Sequence, residues 1–97
     1  MKYRVIYLPI ANRDIIRIDE ALVDYPSKAK RLFQEMDSKV ADLEKMPYMW
    51  PAYSLKPEYR RIILEDHLLF YKVDEDEHRV KVHRILYDKM NIPEYLE

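Results

Sequence analysis

The chain has 97 residues, of which 48% are hydrophobic, and this length and composition predict a single domain over residues 1–97 with one modest core. It contains no cysteine and no glycine, which excludes disulfides, thiolate metal sites and glycine-rich phosphate loops. Seventeen basic and eighteen acidic residues leave a formal charge of -1, so any binding to nucleic acid would depend on a local basic patch.

The first half of the chain predicts a strand followed by two helices. Residues 2–8 alternate and are rich in Val, Ile and Tyr, as strands are, and Pro9 closes this strand. Pro26 is expected to end the first helix, and Ser27 is expected to cap the second. Both helices show apolar residues four and three positions apart, which is the spacing of one helix face and predicts an αα-hairpin. These residues are Ala11, Ile15, Ile18, Leu22 and Tyr25 in the first helix, and Ala29, Phe33, Met36, Val40 and Leu43 in the second.

The second half predicts an ordered loop followed by three strands. Residues 47–57 contain three prolines, which exclude a helix or a central strand. Residues 59–64, 67–73 and 79–87 have the alternation of strands, with a tight turn at 65–66 and a charged tip at 74–78. Three strands with such short connections form an antiparallel meander. The last ten residues either hold a short helical turn or stay loose.

The element order β-α-α-β-β-β predicts an α+β fold. The first strand needs a partner, so we expect it at an edge of the meander, in a four-stranded, mainly antiparallel sheet. The antiparallel helix hairpin is expected to cover one face of this sheet. The other face is expected to stay partly open to solvent or to a partner.

Neither export nor a bound metal is predicted. No apolar run approaches the roughly 18 residues that span a bilayer, and the N-terminal segment MKYRVIYLPIANRD lacks the shape of a signal peptide. We therefore expect a cytoplasmic protein without a membrane segment. The histidines His67, His78 and His83 are too scattered to suggest a metal site, and we expect no cofactor.

Three segments carry a resemblance to a known family. The start KYRVIYLPIANRDI is similar to the opening strand, break and first helix of the RelE/ParE toxins of type II toxin–antitoxin modules, the plasmid-stabilisation type. The block YRRIILEDHLLFYKVDEDE resembles the central hairpin of that family. The stretch VHRILYDKMN resembles its last strand, in which an Arg, two intervening residues and a Tyr lead into a short basic segment. The resemblance covers nearly the whole chain and implies a growth-inhibiting toxin with a cognate antitoxin.

The ribonuclease branch of the family cuts mRNA in the ribosome without a metal. The ribose 2'-hydroxyl attacks the neighbouring phosphate, so the site needs a base, an acid and cations that stabilise the charge on phosphorus. Strand alternation puts Arg60 and Arg61 on opposite faces, so only one of them can serve. We expect the site on the open face of the sheet. The resemblance implies catalytic roles for Arg60 or Arg61, Arg84 and Tyr87, substrate binding by His83 and Lys89, and a further candidate in His67.

Each candidate also has an ordinary structural interpretation. One arginine of the Arg60–Arg61 pair can be solvated and the other ion-paired, and a histidine within a strand is more often structural than catalytic. The aromatic residues of the loop, Tyr48, Trp50 and Tyr53, can stack RNA bases or contact a partner, but we favour a lid over the core.

Three functional hypotheses follow from the resemblance. The first is a ribosome-dependent mRNA endoribonuclease. The second is a ParE-like inhibitor that binds DNA gyrase, favoured by the near-neutral charge and by Leu68 and Leu86, where one ribonuclease branch has an Arg and a His. The third is a decayed toxin that only binds its antitoxin. All three imply an antitoxin with a disordered segment that folds onto this chain. The expected assembly is a toxin–antitoxin hetero-oligomer or a homodimer of this chain.

Overall fold

The structure is a computed structural model that describes residues 2–96, so that residues 1 and 97, the ends of the predicted domain, lie outside the described range. It confirms the α+β class and the pair of helices. The elements in chain order are β1 (Arg4–Tyr7), α1 (Pro9–Ala21), α2 (Pro26–Asp42), β2 (Ala52–Tyr53), β3 (Lys56–Leu64), β4 (His67–Asp74), β5 (Arg79–Tyr87) and a 3₁₀ turn (Ile92–Tyr95).

The strands form one sheet in the order β1-β5-β4-β3-β2. The predicted meander is confirmed in β3, β4 and β5, and β1 joins its edge, running parallel to β5 from Arg4 opposite Arg79 to Tyr7 opposite Val82. The prediction of four strands is wrong, because β2 adds a fifth strand that pairs with β3. This two-residue strand lies within the proline-rich loop. It pairs at the edge of the sheet, where a proline is tolerated because one side of the strand needs no hydrogen-bonded neighbour.

Both helices begin at a proline. Pro9 and Pro26 occupy the first turns of α1 and α2, where the fixed φ angle is already helical and the missing N–H group costs no hydrogen bond. The prediction that Ser27 caps α2 is therefore wrong. The helix begins two residues earlier than that cap implies, at Pro26, and Tyr25 takes the capping position without a side-chain hydrogen bond.

The main core lies between the helices and one face of the sheet. Trp50 of the proline-rich loop packs against it, and the hydroxyl of Tyr71 donates to the carbonyl of Pro47 at 2.7 Å. The expectation of a lid is thus confirmed for Trp50. The buried residues of this core are Ala11, Ile18, Leu32, Met36, Val40, Leu43, Ile62, Leu64, Leu69, Tyr71, Val80, Val82 and Ile85.

The opposite face of the sheet, which the sequence predicts to stay partly open, is covered at one end. The C-terminal segment, which the sequence leaves undecided, packs there through its 3₁₀ turn, and the ammonium group of Lys56 donates to the carbonyl of Leu96. It closes the face because the strands present large apolar side chains to it. This second cluster contains Tyr53, Tyr59, Phe70, Leu86, Ile92 and Leu96.

Two turns of the meander are closed without glycine. Glu65 (φ 54°) and His78 (φ 57°) lie in the left-handed region, which costs a residue with a Cβ atom about 1 kcal/mol or more. Both have a compensating contact. Arg31 Nε donates to Glu65 Oε1 at 3.2 Å, and the His78 ring stacks on Tyr3 with 3.8 Å between centroids.

Candidate functional site

A β-bulge in β5 decides where the candidate residues of that strand lie. Phe70 pairs with Arg84 and Tyr71 pairs with Val82, so His83 is an extra residue between the two pairs. A bulge bends its strand and increases the local twist. The candidates His83 and Arg84 therefore sit at an irregular point of the strand, which the sequence pattern alone does not reveal.

Arg84 is held by a buried carboxylate. Its Nε donates to Asp14 Oδ2 at 2.8 Å, and its Nη2 donates to Asp14 Oδ1 at 3.0 Å. Its Nη1 donates to the carbonyl of Tyr95 at 3.0 Å. The bidentate hydrogen bonds to Asp14 raise the pKa of Arg84 above its usual value. Each nitrogen of the guanidinium group thus has a partner within the fold.

Asp14 also completes the edge of β5. Its Oδ2 accepts the backbone N–H of Ile85 at 3.0 Å, at a level of the sheet beyond the end of β1. Arg17 Nη1 approaches Asp14 Oδ1 at 2.9 Å from the exposed side. A buried N–H needs an acceptor, and this carboxylate replaces the strand that would otherwise supply one.

Asp14 is a residue that the sequence analysis missed. A signal for it was present, because Asp14 follows Ala11 by three positions and precedes Ile18 by four. That spacing places a carboxylate on the apolar face of the first helix, where an unpaired charge is not tolerated. A cationic partner in the sheet was therefore to be expected.

Tyr87 and Arg84 lie on opposite faces of the sheet. Tyr87 pairs with His67, whereas Arg84 pairs with Phe70, and residues three apart on a regular strand point in opposite directions. The expectation that both face the same open side is wrong for this reason. Tyr87, which is 40% exposed, lines a cavity of about 380 Å³ that also contains Lys28. Arg84 lines another cavity of about 170 Å³.

His67 and Asp66 form a hydrogen-bonded pair in the wall of the larger cavity. His67 Nδ1 lies 2.8 Å from Asp66 Oδ1, and Lys28 Nζ donates to Asp66 Oδ2 at 2.9 Å. Burial alone would raise the pKa of Asp66, but the hydrogen bonds from Lys28 and His67 outweigh it and lower that pKa. The ring of Tyr87 meets the ring of His67 edge-on at 5.7 Å. The structure thus brings Tyr87 together with His67 rather than with Arg84.

Arg60 and Arg61 lie on opposite faces, as strand alternation predicts. Arg60 pairs with Tyr71 on the side of the main core, and Arg61 pairs with Phe70 on the other side. Arg60 Nη1 donates to the carbonyl of Trp50 at 2.6 Å, and its guanidinium carbon lies 4.9 Å from the centroid of the Tyr48 ring. Arg60 therefore fastens the proline-rich loop to the sheet.

The remaining candidates lie apart from one another. The ring of His83 is nearly perpendicular to that of Tyr59, with 5.3 Å between centroids. Burial, together with the charges of Lys72 and Lys81, lowers the pKa of His83 to about 4, so the ring is neutral at pH 7. Lys89 is exposed in the turn that follows β5.

Residues 2–96 contain no group of three His, Asp or Glu side chains placed to hold a metal ion. Neither helix in that range has the length and hydropathy required to cross a membrane.

Comparison with known proteins identifies relatives of the whole fold. Residues 3–92 match the family model described as the ParE toxin of the type II toxin–antitoxin system parDE. A chain of the chromosomal ParDE system from P. aeruginosa is 20% identical with a TM-score of 0.72, over 89% of this chain and 96% of that one. A chain of the RelBE2 toxin–antitoxin complex from Mycobacterium tuberculosis is 19% identical with a TM-score of 0.56, over 90% of this chain and 99% of that one. A search of curated proteins gave no match.

Proposed function

The chain belongs to the ParE toxin family and is the toxin of a type II toxin–antitoxin module, and we propose that it arrests growth by binding DNA gyrase rather than by cutting RNA. The proposal includes a cognate antitoxin as its partner in a hetero-oligomer. Since both the target and the antitoxin are cytoplasmic, we propose that the protein acts there.

The bidentate bond between Arg84 and Asp14 is the observation that carries this proposal. An arginine that stabilises a transition-state phosphate must direct free N–H donors at it. Arg84 instead uses three of its five N–H groups, one on each nitrogen, to bond Asp14 and the carbonyl of Tyr95, and these bonds hold the guanidinium group against the fold. Removing one partner of a buried ion pair costs about 3–5 kcal/mol. Tyr87 on the opposite face adds to this argument, because the ribonuclease hypothesis needs both groups at one phosphate.

A protein-binding inhibitor needs an exposed contact surface instead. The proline-rich loop offers one, since Met46, Tyr48, Met49 and Leu55 are between 44% and 65% exposed. Aromatic residues and methionine are enriched at protein interfaces. The anchor that Arg60 provides holds this loop in one conformation before binding, which reduces the entropy lost on association. We propose the loop as the contact with gyrase.

A different apolar surface suits the antitoxin. Between α1 and α2, Val23 is 73% exposed and Tyr25 is 63% exposed. Val23 borders a depression of about 390 Å³ that also contains Leu22 and Phe33. A disordered segment that folds onto such a depression can cover a large apolar area. We propose that the antitoxin covers this helix corner.

The experiment compares gyrase supercoiling with mRNA cleavage during translation in vitro. We expect the protein to stop supercoiling and to leave mRNA intact. Leu55→Asp in the proline-rich loop should abolish the inhibition, while Ile16→Asp, a matched change on the exposed side of α1, should retain it. Codon-linked cleavage that disappears in Tyr87→Phe would contradict the proposal in favour of the ribonuclease. Normal growth with neither activity would indicate a decayed toxin.

Antitoxin binding is tested separately. Val23→Asp should weaken the complex with the antitoxin and leave inhibition of supercoiling unchanged, because Val23 lies at the helix corner. Loss of both properties would show that one surface serves both partners.

A further inference from the structure

The cavity beside Tyr87 has the composition of a ligand site. Its volume of about 380 Å³ falls within the range of pockets that hold small molecules. Four parts of the fold enclose it, namely α1, the first turn of α2, the turn between β3 and β4, and the end of β5. The lining residues are Arg17, Ile18, Ala21, Leu22, Lys28, Asp66, His67, Tyr87 and Met90.

Positive charge exceeds negative charge in this lining. Among the lining residues Arg17 and Lys28 are accompanied by one carboxylate, Asp66, whose oxygens are already bonded to His67 and to Lys28. Arg17 also pairs with Asp14, but the charge of Asp14 is already balanced by Arg84. The ammonium group of Lys28 has three donors and the guanidinium of Arg17 has five, so both keep donors for a ligand. Their side chains are 36% and 54% exposed, which leaves them accessible.

The rest of the wall is apolar. Ile18 and Ala21 of α1, with Leu22 directly after the helix, supply one side, and Met90 supplies another. The pair of His67 with Asp66 and its edge-on contact with Tyr87 fix the aromatic part of the wall. A ligand that uses all of these groups has an anionic head and a short apolar body. A bare phosphate would leave the apolar wall without a contact.

We infer that this cavity binds a small monocarboxylate with an aliphatic or aromatic body. Its carboxylate accepts hydrogen bonds from Lys28 and Arg17, and its body packs against Leu22 and Met90. Charge-assisted hydrogen bonds of this kind are among the stronger ones in proteins. The site shares no residue with the proposed contact with gyrase, whereas Leu22 also borders the depression proposed for the antitoxin.

The test is an NMR titration of the full chain with ¹³C-labelled methionine methyl groups. Benzoate and 4-methylpentanoate should each shift the Met90 signal in a saturable way, with a dissociation constant of about 1 mM for ligands this small. Benzamide has the same shape without the charge and should bind about tenfold more weakly. Inorganic phosphate should give no saturable shift.

Variants locate the binding within the cavity. Lys28→Met should weaken benzoate binding about tenfold. Lys39→Met is the matched control, because Lys39 is another lysine of α2 that pairs with a carboxylate, Glu35, at 2.9 Å. It should leave binding unchanged. Ala21→Leu fills the cavity without changing a charge and should also abolish the shift. The assignment of binding to this cavity then does not depend on Lys28→Met alone.

Three results would overturn the inference. These are the absence of a saturable shift with both carboxylates, equal weakening by Lys28→Met and Lys39→Met, and phosphate binding as tight as that of benzoate.

Discussion

Replacing Asp14 with alanine should destabilise this fold strongly. The carboxylate is 0% exposed and accepts hydrogen bonds from Arg84 and from the N–H of Ile85. Its removal leaves that N–H without an acceptor and leaves Arg84, whose side chain is only 14% exposed, without its anion. Breaking a buried pair in this way costs about 3–5 kcal/mol. Domains are stable by only about 5–15 kcal/mol, so the loss is a large fraction of the total.

Chemical denaturation followed by circular dichroism measures this loss. For a domain of this size, 3–5 kcal/mol corresponds to a fall in Tm of about 15–25 °C. Asp19→Ala, an exposed position of the same helix, is the control and should change stability by no more than about 0.5 kcal/mol. The double variant Asp14→Ala/Arg84→Met should be less destabilised than the sum of the two single variants, because no buried unpaired cation remains and Arg17 is exposed.

A loss below about 1 kcal/mol for Asp14→Ala, or strict additivity in the double variant, would refute this reasoning. Arg84 would then be free of Asp14 and available to a phosphate, and the ribonuclease hypothesis would regain its main cation. The stability measurement therefore also bears on the proposed function.

Three further predictions concern single side chains. Ser27→Ala should change stability by less than about 0.5 kcal/mol, because Tyr25 and not Ser27 holds the capping position, and denaturation of the pair of proteins checks this. Tyr71→Phe should cost about 1 kcal/mol in the same assay, through the lost hydrogen bond to Pro47. The pKa of His83 is about 4 in the fold against 6.5 ordinarily, so the unfolded chain takes up a proton first as pH falls from 6.5 to 4. Stability should therefore drop across that window, by about 1–2 kcal/mol after allowance for solvent screening, and His83→Gln should flatten the drop.

The local elements of this fold follow from neighbouring residues, and the sequence alone predicts them. The apolar spacing of four and three positions predicts both helices, and a proline begins each of them. The prediction that the first helix extends to Pro26 is wrong, because α1 ends at Ala21. The alternating strands and the turn at 65–66 follow in the same way, because adjacent side chains fix the backbone conformation. These patterns, with the resemblance they carry, were enough to predict the α+β class and the toxin family.

Only the tertiary structure decided which side chains meet. Asp14 and Arg84 are 70 residues apart, and although the helix pattern calls for a cation beside Asp14, it does not say which residue supplies it. The bulge at His83 interrupts the alternation of β5, and the C-terminal segment, whose structure the sequence left undecided, covers part of the face opposite the helices. Each of these features depends on which groups the sheet brings together across long chain separations. The residues predicted to form one catalytic site therefore lie on two faces of the sheet, because residues three apart on a strand face opposite ways. Arg84 contacts Asp14, and Tyr87 contacts His67.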